Sequence, residues 1–256
     1  MSVRPFWIVG CGAMAGAMLS RWLDNGTLSP DSVTVIDPAR PDFPGVRILA
    51  ALPAETPPAQ LMLGIKPQML NDVAAQVATA VGPQTQLLSI LAGTRHATLA
   101  AHFGRAASVV RVMPNLPVAI GQGAIALYAP NVDRAPLGLV EWIDDEALFD
   151  AVTALSGSGP AFLYRFAEAL AKGGVAMGLD QAQADRLARA TVAGAAALAK
   201  ASTDPLGTLA DRVASKGGST REGLDALDEN EALDRVVAAA LLAAQARNRV
   251  LANPPD

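Results

Sequence analysis

A glycine-rich turn near the N-terminus constrains the fold of this chain more than any other feature. The apolar run Phe6–Val9 leads directly into the turn Gly10–Ala15 (GCGAMA), and a helical run follows to about Asn25. This G-x-G-x-x-G/A pattern lies between a strand and a helix, where a dinucleotide-binding fingerprint belongs. Gly10 permits the tight turn, and Gly12 lets the backbone approach a pyrophosphate at the positive end of the helix. The predicted phosphate-binding residues are Gly10, Gly12, Ala13 and Met14.

The second predicted strand ends in an acidic residue. Residues 33–36 run into Asp37, about where a carboxylate accepts the ribose 2′-hydroxyl of NAD. Asp37 would repel the 2′-phosphate of NADP unless its side chain turned away, whereas Arg40, three residues later, offers that phosphate a cation. A solvated Asp-Pro-Ala-Arg turn with no role in binding is the alternative. The sequence therefore favours NADH slightly and leaves NADPH open.

Proline separates the chain into two parts of different predicted structure. Fifteen of the 18 prolines precede residue 161, and the chain after that point is rich in alanine. Proline breaks helices and alanine favours them, so the second part is predicted to be mostly helical. In the first part, short apolar runs alternate with helical segments, which predicts a mainly parallel sheet covered by helices. The expected fold is α/β, with a Rossmann-like doubly wound domain over residues 1–154 and an all-α domain over 155–256.

The element bounds follow from the same patterns. The predicted strands are 6–9, 33–36, 47–49, 61–65, 86–91, 108–112, 123–128 and 140–143. The predicted long helices are 160–176, 181–201 and 231–251. The middle helix carries a small-residue face made of Ala190, Ala193, Gly194 and Ala197. That face suits close helix approach in a bundle or at a subunit interface, and equally ordinary core packing.

Composition excludes several classes of function. Lys and Arg number 20 against 24 Asp and Glu, and no basic run is present, which argues against a nucleic-acid partner. Cys11 is the one cysteine and His96 and His102 are the two histidines, so neither a disulfide framework nor a structural zinc site is expected. We expect Cys11 to pack inside the turn and both histidines to lie on a surface helix without a catalytic role. The acidic run 144–146 is expected to open a helix rather than bind a metal.

The same sequence predicts a cytoplasmic protein. The first residues run into a strand without the apolar core of a signal peptide. The longest Ala/Leu-rich stretches carry charges or amides, so no membrane segment is expected. One cysteine in the whole chain fits a reducing compartment.

Five further segments carry a family resemblance. They are Ile65–Gln68 (IKPQ), Ser89–Gly93 (SILAG), Arg111–Pro117 (RVMPNLP), Leu155–Phe162 (LSGSGPAF) and Val213–Thr220 (VASKGGST). In this order the set closely resembles pyrroline-5-carboxylate reductase, over essentially the whole chain. The resemblance implies that NADPH or NADH reduces the C=N bond of 1-pyrroline-5-carboxylate to give L-proline, the last step of proline synthesis. It also implies a helical C-terminal domain that forms a homodimer and often a larger ring of dimers.

The resemblance places further cofactor contacts at the carboxyl ends of successive strands, where open α/β sheets bind ligands. Two dipeptides are expected to border the path of the adenosine and the nicotinamide, and a tripeptide is expected beside the nicotinamide ring. These residues are Lys66, Pro67, Ala92, Gly93, Met113, Pro114 and Asn115. An exposed strand-end lysine and an asparagine that only satisfies a turn are the alternatives for Lys66 and Asn115.

The last segment is the predicted substrate site. Gly217 and Gly218 can present consecutive backbone amides to a carboxylate, before a helix expected near Thr220. The family pattern places Ser215, Ser219 and Thr220 near the substrate, with the catalytic Thr220 hydroxyl donating a hydrogen bond to the ring nitrogen. An ordinary helix cap is the alternative. Because these segments contain no strong acid or base, we expect catalysis by positioning of the reactants.

Three departures from the family pattern limit the resemblance. Lys216 stands where the family usually has proline or alanine, and Leu116 replaces a common threonine. The connection from Tyr128 to residue 140 is too short for the usual helix, so strands 123–128 and 140–143 are expected to pair antiparallel or to separate at the sheet edge. Two rival functions stay open: a β-hydroxyacid dehydrogenase that uses Lys172, and an NAD(P)-binding regulatory protein without turnover.

Overall fold

The computed structural model describes residues 5–130 and 140–252. The chain divides into two compact units, Met1–Ser158 together with Ala244–Asp256, and Gly159–Ala243. The division expected from the sequence after residue 154 differs from this one chiefly at the C-terminus, whose last residues group with the first unit.

The first unit is built on one eight-stranded sheet. Its strands are β1 (Phe6–Val9), β2 (Val33–Ile36), β3 (Arg47–Leu49), β4 (Gln60–Leu63), β5 (Gln86–Ser89), β6 (Ser108–Pro114), β7 (Ile125–Tyr128) and β8 (Val140–Trp142). Their order is β3-β2-β1-β4-β5-β6-β7-β8, and every pair is parallel except β6 with β7. The first six strands have the Rossmann order. Strands are added on one side of β1 as far as β3 and on its other side from β4 onwards, and ligands bind in the crevice at this change of side. The predicted fold class is confirmed.

The described residues also form nine α-helices. They are α1 (Ala13–Asp24), α2 (Leu70–Ala78), α3 (His96–His102), α4 (Phe149–Val152), α5 (Gly159–Ala176), α6 (Gln181–Ala201), α7 (Leu206–Val213), α8 (Ser219–Asp228) and α9 (Ala232–Ala252). The predicted bounds of α6 match those observed. α5 begins one residue earlier than predicted, and α9 begins and ends one residue later. The start of α6 has a sequence-local cause, because the Asp180 carboxylate accepts the amide of Gln183 at 2.9 Å.

The sheet buries apolar side chains on both faces, as the short apolar runs predicted. On one face Trp7 and Leu61 pack with Leu99 and Phe103, the residues that anchor α3. On the other face, side chains of β1, β2 and β4 pack with α1; they include Phe6, Ile8, Val33, Val35 and Met62. Successive residues of a strand point to opposite faces, so one short strand contributes to both layers.

The pairing of the last strand corrects our prediction. We expected β7 and β8 to pair antiparallel or to separate, but Ile125 lies opposite Val140 in a parallel register. β8 is nevertheless the edge strand of the sheet. A parallel return needs only enough chain to run back along one strand, and each extended residue spans about 3.3 Å, so a connection of this length is long enough for parallel pairing. Residues 131–139 of that connection lie outside the described residues.

The second unit consists of helices. Ala171 of α5 packs against Ala184 and Ala188 of α6, with Leu179 beside them. The predicted small-residue face of α6 does not take part in this contact. Its residues Ala190, Ala193, Gly194 and Ala197 are all exposed in the single chain. Ordinary core packing within the chain is therefore excluded for that face. Among the described residues, none of the helices has the length and apolar character needed to cross a membrane.

Candidate functional site

The glycine turn after β1 can only be made by glycine at its first position. Gly10 has φ +82°, and its amide donates to the carbonyl of Ile36 at 2.9 Å. A Cβ there would lie 2.6 Å from Ile65 Cγ2 and 2.8 Å from the Ile65 nitrogen. A Cβ on Gly64 would in turn meet Ala15 Cβ at 2.8 Å. The turn, the end of β4 and the first turn of α1 are thus packed backbone against backbone.

The N-terminus of α1 is open towards solvent. Gly12 is its N-cap, and no side chain accepts a hydrogen bond from the first-turn amides within the described chain. A Cβ at Gly12 would meet no atom within 4 Å. Amides of a first helical turn have no partner inside the helix and favour an anion. The residues present therefore fit a pyrophosphate, with Ala13 and Met14 as the first residues of the helix.

A cavity of about 340 Å³ adjoins this turn at the carboxyl ends of β1, β2 and β4. It brings together four of the predicted cofactor residues, Gly10, Gly12, Asp37 and Lys66. Its walls are mostly apolar and include Pro38, Leu52, Ile65, Met69, Val73 and Val77. Lys66 is exposed and precedes the single helical turn Pro67–Met69. Arg40, predicted as an alternative phosphate partner, is exposed and does not line this cavity.

Asp37 is fixed by two backbone amides. The amide of Cys11 donates to Asp37 Oδ2 at 2.7 Å, and the amide of Ala39 donates to Oδ1 at 2.8 Å. The carboxylate is therefore held against the glycine turn, beside the cavity. Burial, helped by the negative charge of Asp37, raises the pKa of the Cys11 thiol to about 11. Cys11 is thus a packed neutral thiol at neutral pH, in agreement with the expectation that it packs rather than reacts.

A second cavity of about 190 Å³ lies at the carboxyl ends of β5 and β6, lined by Gly93, Arg95, Arg111, Glu146, Ala147, Asp150 and Arg249. The Arg111 side chain is 4% exposed and donates to Glu146 Oε1 at 2.7 Å. Its guanidinium carbon sits 4.1 Å from the centre of the Phe149 ring. Burial lowers the pKa of Arg111, and the ion pair with Glu146 opposes that effect. The same Glu146 oxygen accepts the amide of His96 at 2.6 Å.

Sequence reasoning missed the Arg111–Glu146 pair. In the sequence, Arg111 stands out only as part of a motif, and Glu146 only as a residue of a helix start. Asp145 does cap the turn Glu146–Leu148 by accepting the amide of Ala147 at 2.9 Å, which confirms that the run 144–146 opens a helical segment. The signal for the pair was present, because an arginine inside an apolar strand requires a buried acidic partner.

The segment after β6 is held by an asparagine. Asn115 is 8% exposed; its Nδ2 donates to the carbonyl of Ser156 at 3.0 Å, and its Oδ1 accepts the amide of Ala124 at 2.9 Å. The side chain therefore fixes the loop that follows Met113 and Pro114. Met113 is buried, whereas Leu116 is 53% exposed. The contacts of Ala92, Gly93, Met113, Pro114 and Asn115 with a cofactor stay predictions.

The predicted substrate segment forms the start of α8 in the second unit. Gly217 has φ +71°, and the amide of Gly218 donates to the carbonyl of Ser215 at 3.0 Å. Gly218 is the N-cap of α8, and neither Ser219 nor Thr220 caps the helix with its side chain. The helix-cap interpretation of these two hydroxyls is therefore wrong. The Gly218 amide is engaged, so the expectation that Gly217 and Gly218 present consecutive amides to a carboxylate is wrong for Gly218. The open donors of this turn are the first-turn amides of α8, at Ser219 and Thr220.

The other predicted candidates lie on helix surfaces. Lys172, the base that a β-hydroxyacid dehydrogenase would need, is 67% exposed and bonds Glu168 at 2.8 Å on α5. His96 meets the Tyr128 ring edge-on and His102 contacts Phe103, both on α3 as expected. In the described part of the chain, no cluster of three or more acidic, histidine or cysteine side chains is arranged to hold a metal ion.

Comparison with known proteins gives a consistent result. A family model described as pyrroline-5-carboxylate reductase dimerisation matches residues 146–251. A pyrroline-5-carboxylate reductase from Pseudomonas aeruginosa is 37% identical over 203 residues, which cover 75% of this chain and 74% of the relative.

Solved structures of pyrroline-5-carboxylate reductases from other organisms share the fold of this chain. The structure of a pyrroline-5-carboxylate reductase from Coxiella burnetii has 25% identity and a TM-score of 0.85, covering 98% of this chain and 100% of that one. The structure of Plasmodium falciparum pyrroline carboxylate reductase, with NADP bound, has 24% identity and a TM-score of 0.82, covering 99% and 100%.

Proposed function

The chain belongs to the pyrroline-5-carboxylate reductase family, and from that membership we infer that it reduces 1-pyrroline-5-carboxylate to L-proline with NADPH or NADH. It is an oxidoreductase acting on a C=N bond, in the last step of proline biosynthesis. The observation that carries this function is the identity with the Pseudomonas aeruginosa relative across three quarters of both chains. The glycine turn, with its open helix N-terminus, supplies the binding geometry that a dinucleotide requires.

The first unit supplies the proposed cofactor site. Gly10 and Gly12 shape the turn, and the first amides of α1 receive the pyrophosphate. Lys66 lines the same cavity, Pro67 follows it in the chain as a further proposed contact, and Asp37 stands at the end of β2. The bound nicotinamide supplies the hydride. The remaining contacts are proposed at Ala92 and Gly93 after β5, at Met113 and Pro114 at the end of β6, and at Asn115 directly after it.

The second unit supplies the proposed substrate site. The substrate carries one fixed charge, its carboxylate, and the open amides at the start of α8 match it. The left-handed Gly217 turns the chain so that Ser215, Gly218 and Ser219 surround that helix start. We assign to the Thr220 hydroxyl a hydrogen bond to the ring nitrogen, which orients the imine and stabilises the developing amine.

We propose a proton source other than a protein acid. A cyclic imine is basic enough to take a proton from water, and the resulting iminium accepts hydride more readily. The loop 214–218 holds Lys216 as its only charged side chain, and the next carboxylate along the chain is Glu222, in the first turn of α8. The residues of this site then act by binding and orienting the imine rather than by transferring a proton.

We propose that the second unit forms a homodimer, and that dimers assemble further into a ring. The matched family model describes dimerisation, and it covers this unit. Large apolar side chains of its helices are exposed in the single chain, among them Leu163, Tyr164, Phe166, Leu187, Leu198 and Val236. Exposed apolar area on this scale marks an interaction surface. The single free cysteine is consistent with action in the cytoplasm.

An assay with 1-pyrroline-5-carboxylate and each reduced cofactor tests the function. We expect the full chain to oxidise NADH or NADPH only when the imine is present, and to release L-proline. Oxidation driven by a hydroxy acid or its keto product would instead support a β-hydroxyacid dehydrogenase. Tight binding of the dinucleotide without turnover would support a regulatory protein.

A further inference from the structure

We propose that Asp37 makes this chain selective for NADH over NADPH, a proposal that rests on the function inferred above. Asp37 follows β2 directly and lines the cavity beside the glycine turn. In a sheet of this order the ribose of the adenosine binds at that strand end. The side chain there therefore determines whether a hydroxyl or a phosphate is accepted at the 2′ position.

The carboxylate occupies the donors that a phosphate would use. The amide of Cys11, from the glycine turn, donates to one oxygen of Asp37 at 2.7 Å, and the amide of Ala39, from the turn after β2, donates to the other at 2.8 Å. Backbone amides that converge on one group in this way bind anions. Here the protein supplies its own anion, so a 2′-phosphate arriving at this strand end finds these donors engaged.

The same geometry suits a hydroxyl. Each carboxylate oxygen accepts one amide and keeps a further lone pair for a donor. The ribose 2′-hydroxyl of NADH can donate to that lone pair, whereas the phosphate of NADPH has only acceptors and negative charge to offer. Two like charges in contact with one partly buried site repel strongly. The arrangement therefore attracts one cofactor and rejects the other.

The cations near this strand end do not reverse the preference. Lys66 lines the same cavity from the end of β4, on the other side of β1 from Asp37, so it attracts the phosphates that both cofactors share and adds affinity without selectivity. Arg40 is exposed outside the cavity lining, on a left-handed backbone with φ +48°. Its amide closes the turn by donating to the Asp37 carbonyl at 3.0 Å, which fixes the backbone but leaves the guanidinium in solvent.

Equilibrium binding to the full chain tests the proposal without turnover. Titration of the purified protein with NADH and with NADPH, followed by nicotinamide fluorescence at one fixed salt concentration, gives two dissociation constants. We expect NADH to bind at least about tenfold more tightly than NADPH. The ratio of kcat/KM values with 1-pyrroline-5-carboxylate should move in the same direction.

Substitution at the strand end should move that ratio. Asp37→Ser removes the charge and frees the two amides, so NADPH binding should tighten and NADH binding should weaken, shifting the ratio by at least about tenfold. Asp42→Asn is the matched control, because it removes a nearby carboxylate that is exposed and does not line the cavity. That control should leave the ratio unchanged.

The outcomes separate this proposal from the function beneath it. NADPH binding as tightly as NADH in the unchanged protein would overturn the proposal, whatever the variants do. A loss of NADPH affinity in Arg40→Ala, with no change in Asp37→Ser, would also overturn it, because the arginine would then hold the phosphate. Selective NADH binding without any reduction of 1-pyrroline-5-carboxylate would leave the selectivity intact and refute the function.

Discussion

Two helices of this protein begin alike and differ in what surrounds their first turn. α1 follows Gly12 and α8 follows Gly218; both N-caps are extended, and within the described residues no side chain caps either helix. Each is preceded by a left-handed glycine, Gly10 in the first unit and Gly217 in the second. Both turns thus leave helix amides free to bind an anion.

The difference lies in the space around the left-handed glycine. A Cβ at Gly10 would strike the backbone of the neighbouring strand, whereas a Cβ at Gly217 would meet nothing within 4 Å. The first turn is therefore constrained by packing and by conformation, and the second by conformation alone. Each reduction consumes one reduced nicotinamide, so cofactor and substrate both enter and leave in every cycle. The two turns therefore differ in rigidity and not in how long their ligands stay bound.

The largest expected effect comes from Gly10→Ala. The added methyl meets backbone at 2.8 and 2.9 Å and must also hold a positive φ, so we expect a loss of about 2–4 kcal/mol in unfolding free energy. Cofactor affinity should fall by at least about 100-fold, because the turn cannot keep its shape. Denaturant unfolding and fluorescence titration measure the two effects.

Two matched glycine variants control for conformation alone. Gly217→Ala and Gly26→Ala each place a methyl at positive φ with no atom within 4 Å, so each should cost only about 1 kcal/mol. Gly217→Ala should weaken binding of the imine and leave binding of the cofactor unchanged, and Gly26→Ala should leave both affinities unchanged. Equal losses in all three variants would remove the distinction between the two turns.

The next effect concerns the buried charge pair of the first unit. Glu146→Gln keeps an oxygen for the His96 amide but leaves Arg111 without its counter-ion. Because Arg111 is buried, we expect a loss of about 2–3 kcal/mol in unfolding free energy, less than for a fully buried pair since Glu146 is 22% exposed. The Arg47–Glu55 pair is about half exposed, so Glu55→Gln should leave the melting temperature unchanged. Similar melting curves for the two variants would contradict this assignment.

These contrasts mark how far the sequence alone could go. The glycine turn, the positions of the strands and the helices α5, α6 and α9 depend on local patterns, and local patterns predicted them. The partner of Arg111 is 35 residues away, and the amide that anchors Asp37 is 26 residues away. Only the folded chain brings such groups together, so the sequence identified the residues without their partners.

The edge strand shows a different limit. Its position was predicted, but its direction was not, because the length of a short connection does not fix the direction in which the next strand runs. At α8 the glycines predicted the turn correctly, but which amide stays free depended on a bond within it, from Gly218 to Ser215. Sequence reasoning therefore located both turns and could not rank their donors.

A smaller effect is expected from Thr220→Ala in the open turn. Loss of one hydrogen bond to the developing amine should lower kcat by about tenfold, with little change in cofactor affinity. Thr220→Ser keeps the hydroxyl and should restore most of the rate. Steady-state kinetics at saturating cofactor measure both variants. Full turnover and an unchanged KM in Thr220→Ala would remove Thr220 from the site.

The last prediction compares the two turns by their rates of reaction with a thiol reagent. Because burial and Asp37 raise the pKa of Cys11 to about 11, roughly one thiol in a thousand is ionised at pH 8. Cys11 is also 8% exposed, so the native chain should react slowly with a maleimide or an aromatic disulfide. Lys216→Cys places a thiol on the exposed turn, where it should react at least about 100-fold faster. Guanidinium should make Cys11 as reactive as the added thiol. Rapid native labelling of Cys11 would mean that the first turn opens as readily as the second.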